Sequence, residues 1–213
     1  MGHLYENSTV ENCSFSGTVT GTGYDVGGIV GFVGGNSTVE SCYFTGNVSG
    51  INNVGGVVGS NSASTSTLKN CYSTGYVMGM GTGENVGGIT GENGYGIVAY
   101  CYSSSIVYGS QYVGGVVGKN ALGSSKNCVA LNSIVMGSSY VGRVTGRKMG
   151  GSLDNNYARS TGMSGSISLF TAKSKADKDG EDITSTQWTN PSWWTALGFT
   201  DPFWSGKLPL TLP

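Results

Sequence analysis

The sequence predicts an all-β chain: a right-handed parallel β-helix of about six rungs, with a tryptophan-rich C-terminal segment as its cap. Three observations carry this. A glycine block recurs as VGGIVG at Val26 to Gly31, VGGVVG at Val54 to Gly59, VGGITG at Val86 to Gly91 and VGGVVG at Val113 to Gly118, with a looser VGRVTG at Val141 to Gly146. A second marker keeps the same period: Cys13, Cys42, Cys71, Cys101 and Cys128 are spaced 29, 29, 30 and 27 residues apart. Around each cysteine the apolar residues alternate with polar ones, the period of a strand with one buried face. Two markers sharing one period indicate stacked units, none of which buries its apolar face alone.

The units read alike in chain order, with exceptions in the last two. Three residues before the cysteine place stand Val10, Val39, Leu68, Val98, Ser125 and Leu153; six after it stand Val19, Val48, Val77, Val107 and Ile134, then Gly162. These columns are expected to stack into a continuous core. No helical spacing is present, and propeller blades need about 40–50 residues, so a β-helix rung of two or three short strands fits the period. Crossover connections favour the right hand. The pairs Gly27-Gly28, Gly55-Gly56, Gly87-Gly88 and Gly114-Gly115 mark the rung corners. Glycine within a strand costs about 0.5–1 kcal/mol, so a left-handed backbone or a tight corner must require it. In the last block Arg143 takes the second glycine place, and that corner is expected to differ. Asn156 stands in the cysteine place of a sixth unit, NNYARS at Asn155 to Ser160.

The repeats end near residue 165. The organisation expected is a solenoid over 1–165 and a capping segment over 166–213, which holds all four tryptophans (Trp188, Trp193, Trp194 and Trp204) and the acidic cluster Asp177, Asp179, Glu181 and Asp182. A bare solenoid end exposes unpaired strand edges, so the tail is expected to lie over it. No comparable cap is legible at the N-terminus, which suggests further rungs in a longer polypeptide.

Composition excludes several classes. The chain has 213 residues, 38 glycines, 11% charged residues and a formal net charge of -1. That balance gives no nucleic-acid footprint. No apolar run is long enough for a transmembrane helix. The start, Met1-Gly2-His3, is not a signal peptide.

The candidate sites are few. The cysteine column is expected to be a buried ladder of free thiols: parallel side chains on stacked strands hold their Cβ atoms about 4.8 Å apart, wide for a disulfide, and a straight line makes a poor metal site. Tyr43, Tyr72, Tyr102 and Tyr157 follow the cysteine place and should face outward as an aromatic stripe, either a self-stacking ladder or a contact surface for a glycan or protein partner. The asparagines before the cysteine place (Asn12, Asn70, Asn127, Asn155) suggest a ladder of stacked amides. The segment Asp177 to Asp182 resembles a calcium loop only loosely, because Lys175 takes the first ligand position and Thr186 the last. Between residues 7 and 140 the only acids are Glu11, Asp25, Glu40, Glu84 and Glu92, and the one histidine is His3. No paired carboxylates or triad emerge, and no cofactor or metal site is expected. A ligand would be sought where regularity breaks, at Met78, Met80, Thr82 and Glu84 or around Asn61 to Thr67.

The blocks VGGIVG and VGGVVG, followed by SCYFTG and NCYSTG, resemble the GLUG-motif repeats of bacterial surface and adhesin-like proteins. The likeness covers about residues 7 to 162, and the run Trp193 to Phe199 with Phe203-Trp204 and Leu208-Pro209 resembles the segment that closes such repeats. The resemblance implies an exported, cell-surface setting and an adhesive or spacer role without catalytic residues. The alternative is a β-helical carbohydrate-active enzyme or carbohydrate-binding module.

Overall fold

The computed structural model describes residues 2–166 and 170–211; residues 167–169 and the last two of the expected capping segment lie outside them. The chain winds as a solenoid with three parallel faces. Face A stacks His3–Leu4, Val30–Val33, Val58–Asn61, Thr90–Asn93, Val117–Asn120 and Thr145–Lys148. Face B stacks Thr9–Glu11, Thr38–Glu40, Thr67–Lys69, Ile97–Ala99, Ser124–Lys126 and Ser152–Asp154. Face C is the longest, with Ser14–Thr20 and Tyr24–Gly27 in the first rung, Tyr43–Gly55 in the second and Tyr72–Gly87 in the third. Six rungs follow one another, each paired with the next, as Val10↔Val39↔Leu68 and Phe15↔Phe44↔Ser73 show, with one register shift on face C between Gly79 and Glu84.

Stacking in register places like residues above like, so the period seen in the sequence becomes the core. Val39, Leu68 and Val98 on face B, and Val48, Val77 and Val107 on face C, are buried in one continuous cluster. The fifth rung departs by one residue from the expected column. Val135, not Ile134, pairs with Val107 and is buried, because the turn before it is one residue longer.

Of the two causes expected for the corner glycines, one is present. None of the eight glycines in the VGG pairs has φ in the left-handed region. The tight corner explains them: a Cβ on Gly27 would strike the carbonyl oxygen of Val30, and one on Gly28 that of Gly56 in the next rung. The left-handed positions lie elsewhere. Gly46 (φ 138°) and Gly75 (φ 114°) bend face C into two halves. Asn12, Ser41, Asn70, Tyr100, Asn127 and Asn155, each immediately before the cysteine place, all have φ between 51° and 53°. Asparagine tolerates this region better than most residues, which accounts for its recurrence at the B-to-C corner. An amide ladder is present there only in part, where Asn155 Nδ2 donates to Asn127 Oδ1 at 2.5 Å.

The tail corrects the expectation of a simple end cap. It divides its work. Residues 170–183 close the end of the rod: Lys178 O accepts from Val144 N and Thr145 N at 3.1 and 2.8 Å, and Glu181–Ile183 pairs in register on Tyr157–Arg159. The compositional boundary near 166 is therefore crossed by the sheet. The remaining segment turns back along the flank through α1 (Ser185–Trp188), α2 (Pro191–Ala196) and a 3-10 turn at Pro202–Trp204. Asn190 caps α2 by accepting from Ser192 N at 3.0 Å, and Pro191 occupies its first position. The tryptophans pack on the side of the solenoid because that is where a wide apolar surface needs cover.

Candidate functional site

Face C presents two outer surfaces, one on each side of the glycine bend. On the first half the tyrosines do face away from the rod's core and do stack. Tyr43 and Tyr72 lie 4.8 Å apart, Tyr72 and Tyr102 5.0 Å, both with rings 2° from parallel. They are not open to a partner, however. Trp194 and Trp204 lie against Tyr102 at 5.7 Å, Phe203 lies against Tyr72 at 6.0 Å, and Trp193 meets Tyr157 edge-on at 5.5 Å. The expected contact stripe of Tyr43, Tyr72, Tyr102 and Tyr157 is thus the docking surface for the chain's own tail. Polar contacts fix the strap: Tyr102 Oη donates to Lys207 O at 2.6 Å, Trp194 Nε1 to Trp188 O at 2.7 Å, and Asn70 Nδ2 to Asp201 Oδ2 at 3.2 Å. Burial, with the neighbouring Tyr43, pushes the Tyr72 phenol up to about 12; burial and Tyr72 push Tyr102 higher.

On the second half none of the described residues covers the strand. Outward residues alternate with the buried valines, giving Asn47 and Ser49 on the second rung, Tyr76 and Met78 on the third, Ile106 and Tyr108 on the fourth. A shallow groove of about 480 Å³ lies among Asn47, Val48, Ser49, Tyr76, Met78 and Tyr108. Tyr76 is 52% exposed and Met78 45%. Beside Met78 the register slips between Gly79 and Glu84, where the third rung carries its extra residues. Part of this site was anticipated through Met78, Met80, Thr82 and Glu84. Tyr76 and Tyr108 were missed. Their signal is the alternation Tyr76-Val77-Met78 and Ile106-Val107-Tyr108, whose buried member identifies the core and whose outer members identify the groove.

The remaining candidates are structural. All five cysteines are free; Cys42, Cys71, Cys101 and Cys128 are buried, and burial pushes the Cys71, Cys101 and Cys128 thiols up. Each interior thiol points to the carbonyl two residues back, as Cys71 Sγ does to Lys69 O at 3.1 Å. Cys13 is exposed, contrary to the uniform ladder expected, because the first rung has a neighbour on one side only.

The acidic cluster serves the end of the rod. Asp179 is buried and accepts from Arg143 N at 3.0 Å and Ala172 N at 2.9 Å, while Asp182 pairs with Arg143. Arg143 also donates to Gly180 O at 2.9 Å and Arg159 O at 3.1 Å. Asn156 accepts from Cys128 N at 3.0 Å and donates to Ser125 O at 2.9 Å. The two departures from the repeat, Arg143 and Asn156, are therefore fittings for the closing segment, where no further glycine corner stacks.

A buried amide ladder went unread. Asn61 Nδ2 donates to Asn93 Oδ1 at 3.1 Å, and Asn93 Nδ2 to Asn120 Oδ1 at 2.8 Å. Its sequence signal is the asparagine that ends VGGVVGSN, VGGITGEN and VGGVVGKN. A shorter one lies at the C-to-A corner: Asn85 Nδ2 donates to Asn53 Oδ1 and Asn53 Nδ2 to Asp25 Oδ1, both at 2.7 Å.

Among the described residues no helix is long and apolar enough to cross a membrane. The GLUG motif family matches residues 22–49, one circuit of the solenoid from the end of the first rung to the glycine bend of the second and beyond. No curated protein and no solved structure matches the chain.

Proposed function

We propose that this GLUG-motif repeat chain is a non-catalytic, cell-surface adhesive module that holds a neutral glycan along the open half of face C. The observation that carries this reading is the uncovered groove at Asn47, Ser49, Tyr76, Met78 and Tyr108. Phenol rings offer flat apolar faces for the C–H faces of a sugar ring, while the Asn47 amide and the Ser49 hydroxyl offer donors and acceptors beside them. The groove lining is uncharged, which suits a neutral ligand better than an acidic one. The exported setting belongs to the same proposal and rests on the kind of protein that the repeat resembles.

Two other readings stand against it. A passive spacer is supported by the regular stack. A carbohydrate-active enzyme would need two carboxylates facing a groove. Here Glu40 is paired with Lys69 at 2.9 Å and Glu92 with Lys119 at 2.8 Å.

A screen of glycans and host-matrix proteins, with hydrolysis followed in parallel, separates the three. Adhesion is expected to be lost by about tenfold per ring in Tyr76→Ala and Tyr108→Ala, the scale of one good aromatic contact. Binding that ignores both substitutions would sink the groove. Polysaccharide turnover abolished by Glu84→Gln would replace the adhesive reading with the enzymatic one.

A further inference from the structure

The C-to-A corner changes character along the rod. Asp25, Asn53, Asn85, Tyr112 and Tyr140 occupy the same place in successive rungs. All five have φ between 50° and 58°, in the left-handed region. Asparagine and aspartate are at home there, whereas a bulky tyrosine is a rarity. The exchange also breaks the amide ladder. Asn53 Nδ2 donates to Asp25 and Asn85 Nδ2 to Asn53, but Tyr112 brings no amide, and Asn85 Oδ1 is buried without a donor among the described residues. Two tyrosines therefore hold a costly place, and such backbone outliers gather at functional sites.

Arg147 is what the two rings support. Tyr112 and Tyr140 lie 5.2 Å apart, and the Arg147 guanidinium carbon is 4.2 Å from the centre of the Tyr140 ring and 5.4 Å from that of Tyr112. Stacking on an aromatic face fixes a guanidinium without using its N–H groups. On face A, Glu92, Lys119 and Arg147 stand in register. Glu92 is paired with Lys119 at 2.8 Å, and among the described residues no carboxylate lies within ion-pair distance of Arg147.

A hollow of about 350 Å³ opens beside this stack, lined by Tyr140, Arg147, Lys148, Ala172, Asp177 and Lys178. Its charge narrows the ligand. Lys178 is already committed, paired with Asp179 at 3.2 Å and donating to Val141 O at 2.9 Å. Against Arg147 and the exposed Lys148 stands one further carboxylate of the lining, Asp177, which accepts from the Ser174 hydroxyl at 2.7 Å. Two cations against one anion leave a single net positive charge. That fits one carboxylate and not a dense polyanion such as nucleic acid. Tyr140 remains 50% exposed with Arg147 over its ring, so apolar surface is left beside the guanidinium for the C–H face of a sugar.

We infer that this hollow is a uronic-acid site: Arg147 grips the carboxylate of an acidic sugar through two parallel N–H bonds, Lys148 adds charge, and Tyr140 lies against the sugar ring. Planar carboxylates are matched by the guanidinium fork in this way. The site lies on the last strand of face A and is separate from the neutral-glycan groove on face C. The corner tyrosines position the guanidinium, which explains why the last two rungs give up the asparagine ladder.

The experiment titrates the full chain by calorimetry with a galacturonic acid tetramer and, in parallel, with its fully methyl-esterified form. The ester keeps the sugars and removes the charge. The acid is expected to bind about tenfold more tightly than the ester, the scale of one charge-assisted bidentate contact. Arg147→Lys keeps the positive charge but not the planar fork, and is expected to weaken the acid tetramer about tenfold. Tyr140→Asn restores the corner residue found at Asn53 and Asn85, and is expected to weaken binding by about as much without lowering the melting temperature. Arg147→Lys leaves the corner untouched, so it tests the site even if Tyr140→Asn alters the fold. No binding of the acid tetramer overturns the inference. So does equal binding of acid and ester, acid binding that Arg147→Lys leaves unchanged, or a DNA duplex that binds more tightly than the tetramer.

Discussion

The two halves of face C share strands, register and core, yet one is sealed and the other open. Before the glycine bend the outward residues are Tyr43, Tyr72 and Tyr102, and the tail lies over them. After it they are Asn47, Tyr76, Met78 and Tyr108, and they face solvent. Both surfaces are aromatic, so composition does not distinguish them. What differs is whether α1, α2 and the turn at Pro202–Trp204 reach them. A tyrosine stripe on a solenoid can be part of a fold or part of a binding surface, and the deciding contacts come from 105 and 131 residues away in sequence.

That comparison can be broken at its strongest point first. Trp194 is fully buried in the strap, and Trp194→Ala is expected to cost about 3–5 kcal/mol, the range for removing a buried aromatic side chain. Thermal unfolding should show the loss, and the Tyr72 phenol should titrate closer to 10 once uncovered. If Trp194→Ala melts like the parent, the strap does not seal the first half.

The junction between the rod's end and the strap comes next. Arg143→Gly restores the repeat residue but leaves Asp182 without its buried cation. A loss of about 2–3 kcal/mol is expected, below the range for a fully buried pair because Asp182 is 43% exposed. An unchanged melt would mean that Arg143 does not hold the closing segment.

Alkaline pH probes the sealed half without a substitution. The folded pKa of Tyr72 is raised above 10, so its protonated form contributes stability in full below 10, and that contribution is lost as pH rises through about 12. The melting temperature should fall across this window, by less than the full shift implies because Tyr72 is only half buried. Tyr72→Phe should flatten the dependence, and a profile that Tyr72→Phe leaves unaltered would contradict the assignment.

The smallest effect belongs to the open half. Tyr76→Ala is expected to change stability by no more than about 0.5 kcal/mol, as at other exposed positions, while weakening glycan binding about tenfold. A large destabilisation would show that Tyr76 serves the fold as the stacked tyrosines do.

Much of this was legible because a solenoid writes its core as a period. Val39, Leu68 and Val98, the four buried cysteines and the VGG corners follow from spacing alone, since in-register stacking turns a column of like residues into a buried line. The asparagines before Cys13, Cys71 and Cys128 were visible, but their main cause, a left-handed corner that Ser41 and Tyr100 also adopt, is a backbone property that residue identity only suggests. Arg143 and Asn156 looked like a repeat wearing out; their partners Asp182, Gly180 and Ser125 become visible only when the chain has turned the corner.

By itself, then, the sequence determined the β-solenoid, its six rungs, its inward columns and the distinct character of the tail. Tertiary structure alone decided where the tail goes, and with it which tyrosines are buried, which of them line a groove, and that Cys13 lies open at the uncapped rung. The physical reason is that periodicity encodes contacts between equivalent residues one rung apart. Trp204 against Tyr102, or Lys207 against the Tyr102 hydroxyl, joins residues that share no period.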